Sequence, residues 1–301
     1  MTTSIAAGPA RPPWRSPGRA VVAGVDGSAH NAAAIEYAAA LAARMRRTLR
    51  LTAVIDAGAT GAVVRLVKPG APAWGRGGQA LHQDRARVAQ THPDVLATEH
   101  LREGSPVSEL VDASREEAVL VVGRRGIGAT ERILLGSTSI GVAGRSLVPV
   151  VIVPDEWAGA TAPEAPVVAA LHPGAHLEMV LDYAFTEAHE TGAPLTVVRI
   201  PEPQAVSPYD AWFGPASYPE EPWEQPIEPG LAPYRALFPD VAVTVLEPKG
   251  SPVKRLLRES GYARLLVIGR HHRGPWGLGL GSVARGVLHK AQVPVAVVPA
   301  S

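Results

Sequence analysis

Val119-Leu120-Val121-Val122-Gly123-Arg124-Arg125-Gly126, then a nine-residue span, then Gly136-Ser137-Thr138-Ser139, is the stretch on which the reading of this 301-residue chain turns. Four apolar residues in a row predict a short buried strand. The glycines that follow predict a loop, and Ser137 the start of a short helix; residues 148–153 are apolar again and predict a second strand. Glycine lets a backbone approach an anion closely, and the free N–H groups of a first helical turn favour phosphate. A P-loop would carry Gly-Lys-Ser/Thr at its end. No Lys stands here, so the stretch reads as a different phosphate cradle, with a plain turn and helix cap as the alternative.

Working outward, residues 19–25 form an apolar strand that ends at Asp26-Gly27-Ser28. Over residues 31–47, Ile35, Ala38, Leu41, Ala42 and Met45 recur at helical spacing, with Ser28 as the expected N-cap. Residues 49–55 predict a second strand, 56–78 a glycine-rich loop, 79–90 a weakly patterned helix and 96–101 a third strand. Ser105-Pro106 predicts a helix start with Pro at the first helical position, running to about residue 117. Strands alternating with helices imply a parallel sheet covered on both faces.

The second half repeats the first. Gly104-Ser105-Pro106-Val107 recurs as Gly250-Ser251-Pro252-Val253, and Val121-Val122-Gly123-Arg124 as Val267-Ile268-Gly269-Arg270, both at a separation of 146 residues. Val148-Pro149-Val150 recurs as Val293-Pro294-Val295 at a separation of 145. A constant offset across several elements implies duplication of one domain. The expected organisation is a disordered leader over residues 1–18, domains at 19–154 and 165–301, and a Pro-, Gly- and Ala-rich linker at 155–164 whose composition suits a flexible boundary.

Composition narrows the function classes. The chain has no Cys, which excludes disulfides, thiolate metal sites and thiol nucleophiles. A formal net charge of +1 gives no reason to expect nucleic acid or an anionic membrane as partner. No run reaches the roughly 18 apolar residues of a membrane span. The N-terminal segment lacks the apolar core of a signal peptide, so the expected location is the cytoplasm.

The spacing Gly123-x2-Gly126-x9-Gly136-Ser137, with an early strand ending in Val25-Asp26-Gly27-Ser28, resembles the universal stress protein family in its ATP-binding subgroup, and the tandem layout is one that family uses. The resemblance extends from Arg19 to Pro299. It implies two tandem, Rossmann-like five-stranded parallel sheets of order 3-2-1-4-5, with helices on both faces. Strands 1 and 4 would then flank the topological switch point, where open α/β sheets bind ligands. Carried over residue by residue, it implies that Gly24 and Asp26 lie at the strand 1 end, the Asp on the adenine and ribose side. Val54 would meet adenine through its backbone, and Gly123, Arg125 and Gly126 would line ribose and the α-phosphate. Gly136, Ser137, Thr138 and Ser139 would hold the outer phosphates, with Mg²⁺ as a potential companion. For Asp26 the local alternative is an Asx-turn capping the first helix. The family's last strands pair across a dimer, which implies an intrachain pseudo-dimer here, with homodimerisation open as a further step.

The second copy departs from the pattern. His172 stands opposite Asp26 and His272 opposite Gly126, while Pro275 removes a backbone donor. The expectation is that the N-terminal domain binds ATP and that the C-terminal domain binds it weakly or not at all. Three further features of the sequence carry less. His172, His271 and His272 could lie together at one sheet edge, but read better as polar rim than as a metal site. Residues 201–229, rich in Pro, Glu and aromatics, suggest a cover over the second cleft or a surface for an unidentified protein partner, with a solvated linker as the alternative. The Ser137–Gly141 stretch lacks the strand-before-serine context of a nucleophile elbow. A nucleotide-sensing regulatory protein is therefore expected rather than an enzyme, the alternatives being a weak ATPase or phosphoryl-transfer enzyme, or an interaction module in which nucleotide is incidental.

Overall fold

The structure, a computed structural model, describes residues 19–56, 72–126, 135–159, 162, 164–171, 177–199, 226–270 and 279–299. The N-terminal half runs β1 (Val21–Val25), α1 (Ala32–Met45), β2 (Leu49–Ile55), α2 (Pro72–Thr91), β3 (Ala97–Glu103), α3 (Pro106–Ser114), β4 (Val119–Gly123), α4 (Ser137–Arg145) and β5 (Val150–Val153). The C-terminal half runs β6 (Val167–Leu171), α5 (Leu177–Thr191), β7 (Leu195–Arg199), α6 (Glu228–Leu237), β8 (Val243–Leu246), α7 (Pro252–Glu259), β9 (Leu265–Gly269), α8 (Ser282–Lys290) and β10 (Val295–Val298). Every residue of β1, β4 and β6 is buried, as expected of parallel strands covered on both faces.

Each half has the expected order 3-2-1-4-5, and the last strands of the two halves pair as the resemblance implies. They join into one ten-stranded sheet, β3-β2-β1-β4-β5-β10-β9-β6-β7-β8. The seam is antiparallel, with Val295 opposite Ile152, Ala296 opposite Val151 and Val297 opposite Val150. All eight residues of β5 and β10 are buried. An unpaired β5 would present its backbone N–H and C=O groups at an open apolar edge, which is an association liability. The seam pairs that edge and joins the duplicated halves into one sheet.

Three local expectations change. Ser28 does not cap α1: it precedes a short 3-10 turn over Ala29–Asn31, and Asn31 occupies the N-cap of α1. Helix α2 begins at Pro72, well inside the segment expected to be loop. One of its glycines has a packing reason: a Cβ on Gly77 would stand 3.0 Å from a Leu101 methyl on β3, whereas Gly75 and Gly78 face open space. The linker is also not a loose tether at its start. Trp157 packs edge-on against Tyr37 of α1 at 5.3 Å between ring centroids, and Asp155 pairs with His30 at 2.8 Å. Among the described residues no helix is long and apolar enough to cross a membrane.

Candidate nucleotide site

β1 and β4 are neighbours, paired from Val21 with Val119 to Ala23 with Val121. The chain leaves them in opposite directions across the sheet, and their C-terminal ends open a crevice. Asp26 stands one residue beyond β1. Its Oδ1 accepts the Ser28 N–H at 2.8 Å, so the Asx-turn exists. Its Oδ2 points the other way, 2.5 Å from the point that a Cβ on Gly126 would occupy. The two readings of Asp26 thus coexist on its two oxygens, and the structure brings the carboxylate and the glycine loop together.

The loop after β4 is braced from within. The Gly136 N–H donates to the Arg124 carbonyl at 2.8 Å, and Ser139 Oγ donates to the Gly123 carbonyl at 2.7 Å. Ser139 is buried, so its proton is committed to this brace and not offered to phosphate. Gly136 is the N-cap of α4, extended at φ −73° and ψ 147°. Ser137 is exposed and Thr138 half-buried in the first turn, whose backbone N–H groups have no intrahelical acceptor. That turn is the anion-favouring end of the crevice. Gly123 and Gly136 are glycine because the loop folds on itself: a Cβ would lie 3.1 Å from the Arg125 carbonyl oxygen in the first case and 3.3 Å from the Arg124 carbonyl oxygen in the second. Gly24 has a packing reason too, since its Cβ would meet Val122 at 3.2 Å.

Val54 lies at the opposite rim. β1 pairs with β2 only as far as Val25 opposite Ala53, whereas β2 continues along β3 to Ile55 opposite Glu103. Val54 is therefore past the end of β1, at the crevice edge. Arg125 is engaged by carboxylates of the linker start. Its guanidinium donates to Asp155 at 2.6 Å and to Glu156 at 3.0 Å. The preceding Arg124, buried, donates to Glu156 at 2.6 Å and to the Ala291 carbonyl at 2.9 Å. Among the described residues of the loop, both cations are engaged at the start of the linker, and Arg124 also reaches the second domain.

Two contributors were not read from the sequence. Asn31 is 5% exposed and donates through Nδ2 to the Gly24 carbonyl at 3.1 Å, beside Gly123; it ties the β1 end to the β4 end. Its position, five residues past Asp26, looked only like a helix start. Asp84 on α2 has its carboxyl pushed above the usual range, by burial first; Arg87 offsets part of this and the charge of Asp26 adds to it. In the second domain, Gly281 repeats the extended N-cap of Gly136 at φ −61° and ψ 162°, ahead of Ser282. Residues His172, His271, His272 and Pro275, and most of the 201–229 segment, lie outside the described residues.

Against known proteins, the sequence pattern of the universal stress protein family matches residues 18–154 and again 166–299. A universal stress protein of Mycolicibacterium smegmatis is 31% identical over 306 aligned residues, covering 92% of this chain and 96% of that protein. One of Mycobacterium tuberculosis is 29% identical, covering 92% and 94%. The crystal structure of a universal stress protein from Archaeoglobus fulgidus superposes with a TM-score of 0.66 at 21% identity, covering 93% of this chain and 96% of that one, which shows a shared fold.

Proposed function

The chain belongs to the universal stress protein family, and from that premise we propose that its N-terminal domain binds ATP in the crevice between Asp26 and the 123–139 loop, in a regulatory role. The observation that carries this reading is the contact of Asp26 with Gly126. It joins a carboxylate suited to ribose hydroxyls or the adenine amine with a loop that leads to a helix N-terminus suited to phosphate. Val54 supplies the adenine rim, and Ser137 and Thr138 the phosphate end. Ser139 and Arg125 support the site through the loop and the domain boundary. Mg²⁺ is expected to accompany the phosphates, since it is commonly held by one or two carboxylates together with substrate phosphate.

A sensing role, rather than phosphoryl transfer, is favoured by the loop cations among the described residues: catalysis of phosphoryl transfer needs positive charge at the transferring group, and Arg124 and Arg125 are already engaged by the Ala291 carbonyl and by Asp155. Loss of Asp26 and Gly126 equivalents in the second copy predicts one nucleotide per chain. Mass spectrometry of the denatured purified protein, with nucleotide quantified against protein, tests this. A ratio near one supports the asymmetric site; a ratio near two, or none after incubation with ATP, overturns it.

A further inference from the structure

Arg124 and Arg270 occupy equivalent positions after β4 and β9, and they cross the domain boundary in opposite directions. Arg124 Nη1 donates to the Ala291 carbonyl at 2.9 Å, and Arg270 Nη1 donates to the Ser146 carbonyl at 2.6 Å. The residues are 7% and 5% exposed. Ala291 and Ser146 are the C-caps of α8 and α4. A helix C-terminus presents unpaired carbonyls and partial negative charge, so a buried guanidinium there makes a strong, charge-assisted bond. Each domain supplies the cation that closes the last helix of the other.

The arrangement matters most for α4. At its N-terminal end, Gly136 and Ser139 bond to the Arg124 and Gly123 carbonyls of the crevice loop. At its C-terminal end, Arg270 holds Ser146 from the other domain. Nine helical residues span only about 13 Å, so displacing one end of so short a rod shifts the other. Arg124 itself is anchored on the second domain through Ala291, and its carbonyl receives the Gly136 N–H. The first turn of α4 is therefore fixed by two contacts that the C-terminal domain completes.

We infer that Arg270, although it lies in the domain lacking an equivalent of Asp26, is a positioning residue for the phosphate end of the N-terminal site, and that nucleotide binding and domain docking are coupled through α4. This rests on the reading that the N-terminal crevice holds nucleotide. It also assigns the C-terminal domain a task that does not need a ligand of its own. Linkage is reciprocal: whatever domain docking adds to ATP affinity, ATP adds to docking.

The test compares wild type, Arg270→Met and Arg270→Lys as full chains. Arg270→Met keeps length without charge, and Arg270→Lys restores a charged donor. Isothermal titration with ATP is expected to show roughly 5- to 100-fold weaker binding for Arg270→Met, with partial recovery in Arg270→Lys. Amide hydrogen exchange without nucleotide is expected to be faster over residues 136–146 in Arg270→Met. In wild type, ATP is expected to slow exchange over residues 287–291 of the other domain, which a purely local structural role would not produce. Should Arg270→Met not fold, Arg270→Gln serves the same comparison. A folded variant with wild-type exchange over α4, or with wild-type ATP affinity, overturns the inference. A wild-type protein that binds no nucleotide overturns the underlying reading instead, and the exchange comparison then still decides whether Arg270 holds α4.

Discussion

Asp26 Oδ2 stands 2.5 Å from where a Cβ on Gly126 would be, closer than a carbon and an oxygen can pack. The two residues are 100 positions apart in the chain, and only the adjacency of β1 and β4 brings them together. A methyl group at residue 126 must displace the carboxylate or the loop. Gly126→Ala is expected to cost about 1–3 kcal/mol of stability by overpacking and to weaken ATP binding at least tenfold. Combining it with Asp26→Ala removes the obstructing oxygen, so the double variant should recover most of the stability while remaining deficient in ATP binding. Urea denaturation alongside titration checks this, and simple additivity of the two stability changes would contradict the contact.

The hydroxyls at the start of α4 divide by burial. Ser139→Ala leaves the buried Gly123 carbonyl without its 2.7 Å donor, and unmet buried polar groups cost about 1–3 kcal/mol. Ser137 is exposed and Thr138 half-buried, so their alanine variants should stay within about 0.5 kcal/mol of wild type while lowering ATP affinity. Thermal melts and ATP titrations on the three variants separate the brace from the ligand groups. Equal loss of stability in all three would contradict the division.

Arg44 on α1 and Glu187 on α5 form an ion pair across the domain boundary. Burial pushes the Glu187 carboxyl above the usual glutamate range, Arg44 pulls it part of the way back, and Glu190 adds to the rise. A folded pKa above the unfolded value of about 4.3 means that the folded state holds the proton more tightly. That contribution to stability is complete below the unfolded pKa and is lost as pH rises through the folded one. Urea midpoints between pH 4 and pH 7 should therefore fall more, or rise less, for wild type than for Glu187→Gln. Parallel curves would contradict the assignment.

Trp157 pins the start of the linker to Tyr37. Trp157→Ala is expected to cost about 1–3 kcal/mol and to open the following residues to protease, because the last anchor before them is then the ion pairs of Asp155 and Glu156. Limited proteolysis should cut the variant in the linker several-fold faster than wild type. An unchanged cleavage rate would show that the ion pairs of Asp155 suffice.

The helix spacings, the continuous apolar strands and the 146-residue repeat depend on neighbours in sequence, which is why the two α/β units, the strand order implied by the family resemblance and the positions of Asp26 and the glycine loop were legible before any coordinates. The start of helix α2 is not legible because Gly75, Gly77 and Gly78 argue against a helix, and the packing of Gly77 on Leu101 of β3 shows only in three dimensions. Ser139 was grouped with Ser137 and Thr138 by type, since sequence spacing does not reveal which hydroxyl turns inward.

What the sequence determined by itself is the duplicated parallel unit and the occurrence of Asp26 and the Gly123–Gly126–Gly136 spacing in one copy, because strand burial, helical periodicity and motif spacing are local properties of the chain. What the tertiary structure alone decided is how those residues are used. The antiparallel seam of β5 and β10 creates a boundary that neither half has alone. At that boundary Arg124 and Arg270 find carbonyls lying about 120 to 170 residues away, on the other half. A guanidinium goes where a buried acceptor is available, and that is settled by packing in three dimensions rather than by its place in a motif.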